Sequence, residues 1–137
     1  METNKLYNIA EDTGVTVDFV NIPSAKAMVL ELYDKTFLAI DKDVRSGSAE
    51  EKVLLAHELG HIHTNSCYSL NSPVIARMFC ENRADRWAIE TLVPLSDLLE
   101  AYKNGNESIQ SLADIFGVTE DFMQKALQFY CSATYVK

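Results

Sequence analysis

No apolar run in the sequence approaches the roughly 18 residues that suggest a membrane span, so a transmembrane protein is not expected. Basic residues are in short supply: 12 Lys and Arg face 20 Asp and Glu, for a formal charge of −8. A nucleic-acid partner held through its phosphates needs clustered cations, so none is expected, and acidity of this degree serves solubility. Cysteine is scarce and unpatterned. Cys67, Cys80 and Cys131 form no C-x-x-C pair and make an odd count, which suits free thiols in a reducing compartment rather than a structural disulfide. Met1-Glu2-Thr3-Asn4-Lys5 lacks the basic start and apolar core of a signal peptide, so a cytoplasmic location is the expectation. Repeats, low-complexity tracts and linkers are missing as well. The 137 residues are then expected to form one domain, long enough to bury roughly two thirds of the unfolded chain's surface.

What is present centres on His57-Glu58-Leu59-Gly60-His61. On an α-helix the two histidines fall within about 40° of each other, one turn apart, so both imidazoles can reach a single metal ion. Glu58 projects about 100° away and can take a proton from water instead of binding the ion. The pattern is a known zinc-protease signature. Ser48 with Glu51 three residues later reads as a capping box, which predicts the motif helix over 49–63. Gly60 in its middle costs about 1 kcal/mol relative to alanine, which hints at a close backbone approach.

The remaining pattern predicts an α+β fold. A short helix over 3–13 precedes an alternating strand at 15–20, and two apolar runs within 27–40 flank Asp34-Lys35 as a two-residue hairpin turn. A small, three-stranded sheet would then pack against the motif helix. Ser72-Pro73 opens a second long helix reaching Leu92, and segments 96–103, 107–116 and 119–131 are helical, with 132–137 unassigned. Residues 1–95 would form the core with sheet and metal helices, and 96–137 a helical C-terminal part of the same domain.

Two histidines do not complete a catalytic zinc site, which usually takes three protein ligands and keeps a fourth position for water. The metzincin option fails, since a histidine six residues after His61 and a glycine three after it are replaced by Cys67 and Thr64. Glu81 on the next long helix is the better candidate. It shares a face with Ala84, Asp85 and Ala88, and the two alanines let that face press against the motif helix. Asp85, one turn on, can accept a hydrogen bond from the second ring nitrogen of a ligating histidine. The plainer alternative is a pair of partly buried histidines hydrogen-bonded to Glu81.

His57-Glu58-Leu59-Gly60-His61, then Glu81-x-x-Ala84-Asp85-x-x-Ala88 and Leu92-Val93-Pro94, resembles the ImmA/IrrE family of gluzincin-type metallopeptidases. The resemblance covers most of the chain, including Leu112-Ala113-x-x-Phe116-Gly117-Val118-Thr119. It implies that His57, His61 and Glu81 bind one Zn2+ and that Glu58 is the catalytic base of a metalloendopeptidase. It further implies a protein substrate, a transcriptional repressor of a phage or mobile element. Trp87 departs mildly from the usual phenylalanine, and no added DNA-binding or sensor domain is expected.

For the developing oxyanion Tyr68, His63 and Tyr33 are candidates, and an extended substrate is expected along Thr36 to Ile40 as an edge strand. His63 lies about 200° around the helix from His61, so packing is its default role. Cys80 and Trp87 read as packing residues too. Two rival functions stand beside the peptidase: a non-catalytic regulator that binds a protein partner, and a DNA-binding module built from the C-terminal helices. Against the last, residues 105–137 carry Lys125 and Lys137 but Glu107, Asp114, Glu120 and Asp121. That is the wrong sign for a phosphate-facing helix. A helical part that packs on the core or docks a partner is expected instead.

Overall fold

The computed structural model describes residues 1–69 and 71–134. Along the chain run α1 (Thr3–Asp12), β1 (Val15–Val20), β2 (Ala27–Leu32), β3 (Lys35–Asp41), α2 (Ala49–His63), α3 (Val74–Leu92), α4 (Leu95–Lys103), α5 (Ile109–Phe116) and α6 (Glu120–Thr134). The architecture is α+β, as expected. The unassigned tail splits: α6 continues through Thr134, and 135–137 lie outside the described residues.

The three strands order as β1-β3-β2, with β1 parallel and β2 antiparallel to β3. This corrects the expected substrate strand, because Thr36–Ile40 lies in the central strand and both its edges are already paired. Leu38, Ala39 and Ile40 are all buried, the unbroken apolar pattern of a strand covered on both faces. The hairpin turn also shifts by one residue: Leu32 pairs with Lys35, and Tyr33 and Asp34 form the turn with φ of 51° and 65°. Positive φ at both central positions matches the twist of the flanking strands. The register sets Ala27 beside Ile40 and Val29 beside Leu38, which aligns apolar residues across the pair.

One hydrophobic cluster joins the sheet to the helices, through Leu38 and Ile40 of β3, Leu55 and Leu59 of α2, Ile89 and Leu92 of α3, and Met123 of α6. The motif helix is tied down at its start. Ser48 Oγ accepts the Glu51 N–H at 3.1 Å, but the Glu51 carboxylate accepts in return from the Gly47 N–H at 3.0 Å, one residue beyond a strict capping box. Tyr7 of α1 donates to the same carboxylate at 2.9 Å, which holds Glu51 in place although it is buried. Next to it, buried Lys52 donates to the Phe116 carbonyl at the end of α5 at 2.7 Å. A cation there offsets the negative end of the helix dipole and links α2 to the C-terminal helices.

Those helices pack on the core as expected. Phe122, Met123 and Ala126 of α6 are buried in the cluster, and Tyr130 donates to the Val93 carbonyl at 2.7 Å. The start of α3 is one residue later than expected. Ser72 Oγ is engaged by the Ser69 N–H at 3.2 Å, so Pro73 stands at the cap position without a side-chain bond.

A candidate metal centre between two helices

The site exists because α2 and α3 cross at Gly60. A Cβ placed there would lie 2.5 Å from the Ala84 carbonyl oxygen and 3.0 Å from Ala84 Cα. No side chain larger than hydrogen fits, and Ala84 and Ala88, both fully buried, keep the facing surface flat. This is the close approach that the mid-helix glycine suggested. It brings Glu81 and Asp85 of α3 level with His57 and His61 of α2.

His57, His61 and Glu81 each offer one ligand atom, all within 4.8 Å of one another, and together they could hold a metal ion. The protonation pattern follows from their other partners. His57 Nδ1 is 2.8 Å from Asp85 Oδ1, and His61 Nδ1 is 3.0 Å from the Ser66 carbonyl oxygen. Carboxylate and carbonyl oxygens only accept, so each Nδ1 carries the hydrogen and donates it. In the neutral rings this leaves both Nε2 lone pairs aimed at Glu81. His57 Nε2 lies 3.4 Å from Oε1 and His61 Nε2 2.5 Å from Oε2. Lone pairs facing carboxylate oxygens repel unless a proton or cation lies between them. Glu81 Oε2 is buried and accepts no hydrogen bond among the described residues. Two imidazole nitrogens and one carboxylate oxygen, with second nitrogens fixed by acceptors, form a donor set that fits zinc.

Electrostatics agree with that pattern. Burial works to lower the His57 pKa, but the hydrogen bond and charge of Asp85, with the charges of Glu58 and Glu81, outweigh it and raise the value. A proton therefore competes with a metal up to higher pH than at an ordinary histidine. Burial pushes the Glu58 carboxyl upward, with Glu81 adding to the rise and the histidine charges opposing it. A raised value suits a base that must both take and return a proton near neutrality. Burial opposes ionisation of Asp85 as well, yet His57 and Lys125 hold its pKa below the usual aspartate value. Asp85 Oδ2 is 3.3 Å from Lys125 Nζ of α6, so one carboxylate ties the C-terminal helix to His57.

The oxyanion candidates separate. Tyr68 packs edge-on against His61, with ring centroids 5.9 Å apart. Burial and the nearby Glu81 raise its phenol pKa while Arg77 opposes, so it keeps its hydrogen to donate. His63 stacks on Trp87 at 4.9 Å, which is the packing role expected of both. Tyr33 sits in the hairpin turn, 95% exposed. Cys80 is partly buried, and Cys67 and Cys131 are exposed.

Two partners escaped the sequence reading. The Ser66 carbonyl is a backbone group, blind to residue type. It reaches His61 because α2 ends in a turn with Asn65 at φ 53°, while the Ser66 N–H donates back to the His61 carbonyl at 2.8 Å. The available signal was Asn65 just past the helix end, where a left-handed residue commonly turns the chain back. Lys125 had no signal, since its role depends on how α6 docks. Asp85→Ala, which leaves the His57 ring without its acceptor, is expected to weaken zinc binding about 10- to 100-fold, measured by competition with a chromophoric chelator.

The family model described as Peptidase_M78, IrrE N-terminal-like domain, matches residues 10–128. No curated protein matches the chain.

Proposed function

The chain belongs to the Peptidase_M78 family of IrrE N-terminal-like domains, and from that premise we propose that it is a zinc-dependent endopeptidase acting on a specific intracellular protein. The observation that carries the proposal is the convergence of the His57 and His61 Nε2 atoms on the Glu81 carboxylate beside half-buried Glu58. His57, His61 and Glu81 would hold the ion. Bound zinc supplies Lewis acidity, which makes water more acidic and polarises a carbonyl. Glu58 then accepts the water proton as the oxygen attacks the scissile carbonyl carbon, and returns it to the amine as the C–N bond breaks. Asp85 and the Ser66 carbonyl hold the two rings in the tautomer this requires. Tyr68 is the proposed donor to the developing oxyanion.

The proposed substrate strand is β2, whose outer edge pairs with no strand among the described residues. β2 packs against α2, the helix that carries the proposed base. An extended peptide could add to this edge through backbone hydrogen bonds. A transcriptional repressor of a phage or mobile element is the proposed substrate, from the resemblance of the motifs.

The test uses the zinc-loaded protein and a positional library of internally quenched peptides. Cleavage is expected, with loss on chelation and return on adding zinc. A protein that holds zinc yet cuts no peptide would sink the peptidase reading.

A further inference from the structure

The face of α3 that carries Glu81 does not end at the site. Counting back at about 100° per residue, Arg77 lies about 40° from Glu81 around the helix, Val74 about 20° and Met78 about 60°. From Ala84 onward this face is buried under α2. Before Glu81 it emerges: Val74 is 60% and Met78 58% exposed, and Ile75 and Phe79 continue the apolar surface around the helix at 68% and 65%. Four large apolar side chains within six residues form a patch of the kind that marks an interaction site.

Arg77 stands at the edge of this patch, about 60° around the helix from Val74. Its Nε–H is buried and meets no hydrogen-bond partner among the described residues. The neighbouring Glu81, at the i,i+4 position where an ion pair would ordinarily form, is turned to the histidines instead. Three other cations do form ion pairs: Lys26 with Glu50, Arg86 with Glu90, and Lys125 with Asp85. Half-buried Arg77, one turn from a metal-ligand candidate and beside exposed apolar groups, has a guanidinium donor without an acceptor among the described residues. A carboxylate fits the planar fork bidentately.

We propose that Arg77 is a specificity-determining residue that binds an acidic side chain of the substrate polypeptide, with Val74 and Met78 seating the apolar residues beside it. The inference rests on the peptidase reading. Substrate would lie with its scissile bond at the zinc and its acidic residue one helical turn away along α3. Selectivity thus comes from a ledge next to the reacting atoms, not from the motif residues.

The experiment profiles the same quenched-peptide library with zinc-loaded parent protein, Arg77→Gln and Arg77→Glu, each checked for zinc content and thermal melting. The parent is expected to prefer Asp or Glu at one position near the cut. Arg77→Gln should lower kcat/KM for those peptides about 10- to 100-fold through KM, and leave peptides without the acid unchanged. Arg77→Glu should turn the preference toward Lys or Arg at that position. An unchanged profile in both variants, or a loss of kcat equal across all peptides, overturns the inference while leaving the peptidase reading intact. If the zinc-loaded parent cuts nothing, the peptidase reading fails and the inference falls with it.

Discussion

Zinc-loaded Glu58→Gln is expected to cleave about 10²- to 10⁴-fold more slowly than the parent chain while holding the same amount of zinc. Glutamine keeps the size and the helix propensity of glutamate but cannot take a proton from water. The three ligand candidates are on other positions, so zinc content should not change. The decisive pair of readings is kcat/KM on one well-cut library peptide and zinc per chain by elemental analysis. A variant that retains the parent rate would remove Glu58 from the role of base. Loss of zinc together with rate would make Glu58 a ligand instead.

Gly60→Ala should destabilise the fold by at least about 1 to 3 kcal/mol, a fall of roughly 5–10 °C in Tm, and weaken zinc binding as well. The sign is informative because the local effect alone points the other way: alanine in a helix interior is favoured over glycine by about 1 kcal/mol. Here the new methyl would meet the Ala84 carbonyl oxygen at 2.5 Å, and that oxygen is backbone, fixed within α3. The helices must part, and Glu81 and Asp85 move away from the histidines with them. Thermal melting with and without zinc measures both effects. A variant that melts higher than the parent would mean that α2 and α3 do not touch at this point.

Much of this was legible from residue types at helical spacing. His57, Glu58 and His61 are fixed relative to one another by a helix that Ser48 begins, and Ala84 and Ala88 announced the face that packs on it. Glu81 was legible as the acid that those alanines leave uncovered. Sheet order was harder, because sequence neighbours β2 and β3 pair locally while β1 joins through a parallel crossover whose partner no local pattern specifies. Even so, the unbroken run Phe37-Leu38-Ala39-Ile40 carries the sign of a central strand. The turn moved by one residue because cross-strand matching of Ala27 with Ile40 and Val29 with Leu38 outweighs the turn preference of Asp34-Lys35. Contacts made by a backbone carbonyl at Ser66, or across the docking of α6 at Lys125, depend on tertiary arrangement and leave no trace in composition.

The central claim is that His57, His61 and Glu81 together bind zinc. X-ray absorption at the zinc edge, on protein loaded with one equivalent of zinc, tests it most directly. The account predicts a first shell of nitrogen and oxygen only, at about 2.0–2.2 Å, with the outer-shell scattering of two imidazoles. Sulfur at about 2.3 Å, which would have to come from Cys67, Cys80 or Cys131, or a shell with fewer than two imidazoles, would contradict it.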